Sequence, residues 1–219
     1  MILIIDCSNE CAFVCLADNG KVVATKQSDN QKNHASFLHI AINALMIEAD
    51  TKLNALAAVA VVSGPGSYTG VRVAMASAKG LCLALKKRLI LLNGLELLAL
   101  ACYEEVGIED SVYIPLIDAR RMEVFTAVYN SKLETICPPI NHILEQKSFE
   151  DFLNAGPVHF LGSGTTKAKT FIQHSNAVFC NKFNIITAAA HLAQTSFNTG
   201  KIADIIHSEP LYIKPFFEG

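Results

Sequence analysis

The stretch Ser63-Gly64-Pro65-Gly66-Ser67-Tyr68-Thr69-Gly70-Val71-Arg72 decides the fold of this chain. Before it lies an almost continuous apolar run, Leu56–Ser63, which predicts a strand that is covered on both faces. After it, apolar residues predict a helix from about Tyr68 to Lys86. A strand, a glycine-rich break and a helix therefore follow one another directly.

The flanking sequence extends this unit into two similar halves. Three predicted strands precede it as an antiparallel meander, and a helix, His34–Ala49, lies between them and Leu56. A second series of strands begins at Val112, and in both halves the first strand ends in an aspartate, Asp6 or Asp118. We predict an α/β duplicated fold of two lobes, residues 1–107 and 108–219, each a mixed sheet flanked by helices.

The glycine run has two open interpretations. Its spacing, Gly64-x-Gly66-x-x-x-Gly70, fits neither a P-loop, which needs Lys-Ser/Thr after the last glycine, nor the dinucleotide fingerprint. It is either a structural turn against which a helix packs closely or a phosphate cradle at a helix N-terminus.

The helix that follows carries a stripe of small residues. They recur at three- and four-residue spacing, at Gly70, Ala74, Ser77, Ala78 and Gly80. Such a stripe lets another backbone approach closely, and that backbone belongs either to the chain's own sheet or to a partner helix. The sequence leaves both alternatives open.

The first strand leads into Asp6-Cys7-Ser8, a pattern similar to the first phosphate loop of actin/hexokinase-like proteins. The Asn9-Glu10 pair that follows adds bulk and negative charge where a triphosphate would lie. We interpret the loop as a degenerate nucleotide site. Asp6, Ser8 and Asp118 are the only weak candidates for cofactor binding, and we expect no cofactor.

Metal and thiol chemistry have little support in the sequence. His34 and His39 are five residues apart, which places them ~140° apart on a helix, and Leu38 stands where a second ligand would be needed. We therefore expect no metal site. The seven cysteines include no CxxC pair, and we interpret them as buried thiols in a reducing cytosol.

Composition narrows the range of partners and compartments. The net charge is -2, whereas a chain that grips nucleic acid alone is normally basic. No apolar run has the length of a membrane helix, and the N-terminus meets Asp6 without a basic region, so no signal peptide is expected. We predict a cytoplasmic chain with no membrane partner.

In these motifs the chain resembles the YeaZ/TsaB family, of the glycoprotease-like superfamily. The resemblance rests first on Gly64–Arg72. Further matching positions are spread along the whole chain. They are Ile2–Ser8, His34, Lys79–Leu81, Asp118–Arg120, Glu123–Phe125 and Glu209–Ile213.

The resemblance implies a fold, partners and a function. The fold is actin/hexokinase-like (ASKHA), and the partner is a catalytic paralogue, TsaD, whose first helix carries His-x-x-x-His. With that paralogue and a small ATPase, TsaE, the family serves threonylcarbamoyl transfer to the adenosine beside the anticodon of tRNAs that read ANN codons. The chain is then a non-catalytic subunit that meets tRNA only through the complex and forms a homodimer when the partner is absent.

The resemblance also places the contact surface on the first two helices. The predicted contact residues are His34, Leu38, Gly70, Val71, Ala74, Ser77, Ala78 and Leu81. Two alternatives stay open, a stand-alone ATPase or phosphotransferase that uses Asp6, Ser8 and Asp118, and a peptidase. The peptidase lacks a visible metal pair or nucleophile–base pair.

Overall fold

The computed structural model of this chain describes residues 1–28 and 34–214, and of residues 34 and 35 it describes the backbone only. The described chain forms two compact units. The first contains Met1–Gly94 and Ile186–Leu211, and the second contains Leu95–Ile185 and the described residues from Tyr212.

The elements are numbered in chain order. Those of the N-terminal half are β1 (Ile2–Asp6), β2 (Ala12–Asp18), β3 (Lys21–Ser28), α1 (His34–Glu48), β4 (Ala58–Val62), α2 (Tyr68–Leu85), β5 (Arg88–Leu92) and α3 (Gly94–Val106). Those of the C-terminal half are β6 (Val112–Asp118), β7 (Glu123–Tyr129), β8 (Thr135–Ile143), α4 (Glu150–Ala155), β9 (Val158–Leu161), α5 (Thr165–Ala168), β10 (Ala177–Phe179) and α6 (Ile185–Asn198).

The first unit contains a five-stranded sheet in the order β3-β2-β1-β4-β5. The strands β1, β2 and β3 pair antiparallel, and β4 pairs parallel with both β1 and β5. The turn between β2 and β3 has positive φ at Asn19 and Gly20, as its sequence predicts. Helices α1 and α2 share one hydrophobic core with this sheet.

The second unit repeats the same plan. Its sheet has the order β10-β9-β6-β7-β8, in which β6, β7 and β8 are antiparallel and β9 pairs parallel with β6 and β10. The strands β6 to β10 thus correspond in order to β1 to β5. This correspondence is the duplication that the paired aspartates indicated.

The predicted boundary between lobes needs a correction. Helix α3 belongs to the second unit, because Leu95, Leu98 and Cys102 share a core with the second sheet. Helix α6 belongs to the first unit, where His191 and Gln194 approach the β2–β3 turn at Gly20. The break near residue 107 follows a helix that has already entered the second unit, so residues 1–107 and 108–219 are not the compact units.

Across residues 1–28 and 34–214, no helix combines the length and the apolar character that crossing a membrane requires.

Candidate functional site

The first candidate loop follows β1 and is closed on itself. The Asp6 Oδ1 atom accepts hydrogen bonds from the Ser8 backbone N–H at 2.7 Å and from the Ser8 hydroxyl at 2.6 Å. Both side chains are buried. The Asp6 carboxylate therefore holds the turn of its own loop through this oxygen.

The glycine run packs directly against that loop. The Ser67 N–H donates to the Ser8 carbonyl at 2.7 Å. A Cβ atom on Gly66 would lie 2.2 Å from the Ser8 carbonyl oxygen, and one on Gly70 would lie 1.9 Å from that of Cys7. The two glycines are needed because the backbone of the first loop occupies the space that a side chain would take.

The N–H groups at the start of α2 favour the structural-turn interpretation. The Ser67 hydroxyl accepts from the Gly70 N–H at 3.3 Å, and the Ser67 carbonyl accepts from the Val71 N–H at 2.9 Å. The Val71 bond is the first ordinary bond of the helix. With the Ser67 N–H bound to Ser8, two donors that a phosphate cradle would present, those of Ser67 and Gly70, are already paired within the chain.

The segment that ends at Leu211 contacts both the glycine run and α2. The Leu211 N–H donates to the Ser63 carbonyl at 2.7 Å, and a Cβ on Gly64 would lie 2.9 Å from the Leu211 carbonyl oxygen. The Lys79 Nζ donates to the carbonyls of Ile206 and Ser208, each at 3.0 Å. The motifs around residues 64, 79 and 211 are therefore parts of one assembly, which no local sequence pattern could reveal.

The second candidate loop follows β6 and centres on an ion pair. The Lys167 Nζ lies 2.8 Å from Asp118 Oδ1 and also donates to the carbonyls of Arg121 and Glu123, at 3.0 and 2.6 Å. Asp118 Oδ1 accepts a further hydrogen bond from the Arg120 N–H at 2.6 Å. Lys167, which the sequence analysis missed, thus binds both sides of the β6–β7 loop.

The charge state of Asp118 follows from these contacts. Partial burial by itself would raise the pKa of Asp118, but the hydrogen bonds from Lys167 and Arg120 outweigh it and hold the pKa below its ordinary value. Asp118 is therefore an ionised carboxylate at neutral pH, and its charge is balanced within its own unit.

Most of the predicted contact residues are not on the surface. Five of the eight are buried in the first unit, namely Leu38, Gly70, Val71, Ala74 and Ala78. Ser77 and Leu81 are half-buried, and the side chain of His34 lies outside the described part of the chain. Ala74 and Ala78 are in the core that α2 shares with the sheet, so at these positions the small residues pack on the chain's own strands.

The outward faces of α1 and α2 present a different set of residues. Ile40 and Ile47, seven positions apart on α1, are each 72% exposed, and Leu83 on α2 is 62% exposed. Ala76 and Gly80 are exposed on the same helix as Leu83. The helices are neighbours, with the His39 ring nitrogen 3.4 Å from the Ser77 hydroxyl. We call these five residues, Ile40, Ile47, Ala76, Gly80 and Leu83, the outer helix face.

Comparisons with known proteins identify the family. The family model of TsaD, tRNA N6-adenosine threonylcarbamoyltransferase, matches residues 22–205. The tRNA threonylcarbamoyladenosine biosynthesis protein TsaB of Bacillus subtilis is 34% identical over 197 residues, which are 87% of this chain and 81% of that protein. The chain belongs to the TsaB (YeaZ) family.

Solved structures agree with this membership and with the fold. A Pseudomonas aeruginosa protein described as similar to the peptidase YeaZ has a TM-score of 0.85 at 25% identity, covering 97% of this chain and 99% of that chain. The polyphosphate/ATP-glucomannokinase of an Arthrobacter strain has a TM-score of 0.54 at 12% identity, covering 89% of this chain and 98% of that one. The second likeness shows the fold alone, and it confirms the predicted actin/hexokinase-like architecture of this TsaB-family chain.

Proposed function

We propose that this chain serves the biosynthesis of threonylcarbamoyladenosine in tRNA as the non-catalytic partner of a TsaD-like paralogue. The observation that carries the proposal is the 34% identity to the TsaB protein of Bacillus subtilis, which spans most of both chains. A TsaD family model matches this chain as well, which supports a partner of the same fold.

Two features support a non-catalytic role. The carboxylates of Asp6 and Asp118, which a nucleotide–metal complex would need, are hydrogen-bonded to Ser8 and to Lys167. The helix α1 has Leu38, fully buried, four positions after His34, so it cannot provide the His-x-x-x-His pair expected of the catalytic paralogue. We accordingly propose that the chain binds no cofactor of its own.

We assign the contact with the paralogue to the outer helix face. Exposed isoleucines and leucines on adjacent helices stabilise a complex when a partner removes them from water. A paralogue with the same helix pair could present the same face, and so could a second copy of this chain. We therefore propose a heterodimer in the complex and a homodimer when the paralogue is absent.

The net charge of the chain bears on how tRNA is bound. A net charge of -2 gives this chain no general attraction for phosphate backbones, so we propose that tRNA is held through the complex. A TsaE-like ATPase completes the proposed system, which we place in the cytoplasm.

Reconstitution tests the proposal. The purified chain alone should give no threonylcarbamoyladenosine in tRNA, measured by nucleoside mass spectrometry, and the TsaD- and TsaE-like proteins should require it for activity. The reconstituted reaction supplies threonylcarbamoyl as its adenylate, from which the resemblance implies that the catalytic paralogue takes it. Full activity of the other proteins without this chain would contradict the proposal.

The shared architecture with a glucomannokinase favours one second candidate, a stand-alone ATPase or phosphotransferase. Titration calorimetry with ATP and magnesium separates the two. The partner role predicts no heat of binding and no phosphate release by the isolated chain, whereas tight binding with turnover that is lost in Asp6→Asn would support the enzyme.

A further inference from the structure

Three reactive side chains, none of which belongs to either candidate loop, converge in the second unit. They are Cys102 on α3, His159 on β9 and Cys180, which directly follows β10. One donor atom from each lies within 4.8 Å of the other two. The Cys180 sulfur is 3.4 Å from Nδ1 of His159. The residues are far apart in sequence, so only the folded sheet brings them together.

The two sulfurs differ in their access to solvent. Cys102 is fully buried, in the core that α3 shares with the second sheet. Cys180 is half-buried, and the segment from 180 to 184 that it begins has no regular secondary structure. Cys180 is thus the more exposed of the two residues, and it begins a segment that is not held by helix or sheet hydrogen bonds.

The surroundings of the imidazole indicate where its proton is. His159 is buried, its ring stacks on Tyr113 with centroids 5.2 Å apart, and Nε2 has no hydrogen-bond partner in the described residues. A buried N–H without an acceptor is rarer in proteins than a buried acceptor without a donor. We therefore assign the proton to Nδ1, where it points at the Cys180 sulfur.

The surroundings make the two thiols unequal. The Cys102 thiol, whose sulfur lies within 4.8 Å of the Cys180 sulfur, acts together with His159 to outweigh the effect of burial and lower the pKa of Cys180. The interaction with Cys180, together with burial, raises the pKa of Cys102. The Glu105 carboxylate and the hydroxyls of Tyr103 and Tyr113 are further titratable groups near this pair.

We propose that Cys180 is a nucleophilic thiolate and a modification site for hydroperoxides, with Cys102 as its resolving thiol. The Cys180 sulfur attacks one peroxide oxygen. The S–O bond forms, the O–O bond breaks, and the leaving hydroxide or alkoxide takes up a proton, which leaves a sulfenic acid. The Cys102 sulfur then attacks the Cys180 sulfur. The S–S bond forms, and the hydroxyl of the sulfenic acid departs with the Cys102 proton as water.

A metal ion fits the cluster less well. A metal-ligating histidine normally donates its second ring N–H to an acceptor, and Nε2 of His159 has none in the described chain. A structural zinc site takes four protein ligands, and the described residues that meet here supply three. Zinc binding is therefore an outcome that the experiment must be able to detect.

Peptide mass spectrometry of the full, reduced chain tests the proposal. At one equivalent of hydrogen peroxide, we expect a Cys102–Cys180 disulfide as the main product. Cys102→Ser should instead leave a sulfenic acid on Cys180 that dimedone traps, and Cys180→Ser should leave Cys102 unmodified. Cys137→Ser, which removes a half-buried thiol from another part of the same unit, is the matched control and should not change the result.

A second measurement needs no variant. Between pH 6.5 and 8, the rate at which iodoacetamide alkylates Cys180 should rise less than about threefold, whereas a reference peptide thiol gains roughly tenfold per pH unit. Three results would overturn the proposal. They are a tenfold rise per unit at Cys180, peroxide oxidation that falls first on another cysteine, or one zinc ion per chain that blocks Cys180 while peroxide forms no disulfide.

Discussion

At the residue scale, Gly66 and Gly70 fix how closely the glycine run approaches the first loop. Added Cβ atoms would lie 2.2 and 1.9 Å from backbone carbonyl oxygens, distances that require the backbone to move. Gly80, on the outer helix face, has no atom of the chain within 4 Å of the position that its Cβ would take. Glycine is thus required for close packing at the start of α2, whereas Gly80, near the end of that helix, has no close neighbour that requires a glycine.

A pair of alanine substitutions tests this difference. Gly70→Ala should lower the free energy of unfolding by about 1–3 kcal/mol, because the loop at Cys7 must shift. Gly80→Ala should raise it by about 0.5–1 kcal/mol, because alanine loses less backbone entropy in a helix. Urea unfolding of both variants gives the comparison, and equal effects would contradict the packing account.

Lys167 stabilises the second candidate loop through one ion pair and two hydrogen bonds. Lys167→Met removes one ion pair and two hydrogen bonds to carbonyls, so we expect a loss of about 1–3 kcal/mol in the free energy of unfolding near neutral pH. Asp118 has a lowered pKa in the folded chain, so its ion pair stabilises the protein above the unfolded pKa and ceases to do so as pH falls through the folded value.

The pH dependence distinguishes the ion pair from the carbonyl contacts. The difference in unfolding free energy between the wild type and Lys167→Met should narrow as pH falls from 5 to below about 4, where aspartates protonate. The part of this free-energy difference that comes from the hydrogen bonds to the two carbonyls should remain. Lys147→Met, at an exposed lysine, is the control and should show no such narrowing. A difference that stays constant with pH would exclude the ion pair as its source.

At the element scale, α1 and α2 each have an inner face in the core and an outer face in solvent. Ile40→Glu and Ile47→Glu should weaken binding of the TsaD-like paralogue at least tenfold, because a buried glutamate has no compensating charge in an apolar contact. Titration calorimetry measures this affinity. Ile143→Glu on β8, where the native side chain is 57% exposed, is the matched control and should bind as the wild type does.

The inner face predicts the opposite phenotype. Ala74 is fully buried, so Ala74→Glu should disrupt folding of the first unit instead of breaking the heterodimer selectively. Circular dichroism and thermal unfolding distinguish the outcomes. A well-folded Ala74→Glu chain that fails to bind the paralogue would restore the small-residue stripe as the contact surface.

The sequence predicts the first two helices to within one residue, because hydrophobic periodicity reports directly on local backbone geometry. The same periodicity predicts one helix from Thr165 to His174, whereas α5 ends at Ala168. The two prolines at 138 and 139 predict the end of a strand at Cys137, whereas β8 continues to Ile143. The strand order explains the second error, since β8 is an edge strand and an edge tolerates residues that cannot donate on their outer side.

At the scale of the whole molecule, each compact unit contains a helix from the other half of the sequence. A fragment of residues 1–107 carries α3 without the core that it enters and lacks α6. We expect this fragment to aggregate or to unfold without cooperativity. Residues 1–94 joined by a flexible linker to residues 186–211 should unfold cooperatively in urea. The reverse result would restore the boundary at residue 107.

The candidate site was predictable only in part. The sequence located Asp6 and Asp118 at strand ends because each follows an apolar run and precedes a turn. It could not provide their partners. Lys167 lies 49 residues from Asp118, and a pattern read along the chain contains no information about such a pairing. Periodicity likewise shows that one face of α2 carries small, apolar side chains. Packing against the chain's own sheet and packing against a partner helix both require such side chains, so the pattern does not distinguish them.

The discontinuous first unit also affects how the protein is made. Residues 186–211 complete that unit, so a nascent chain must extend through residues 95–185, the larger part of the second unit, before the first can close. At ~5–20 residues per second, the roughly ninety intervening residues take several seconds to translate. During that interval the N-terminal sheet has left the ribosome without α6, and chaperones that recognise exposed apolar strands have time to bind it.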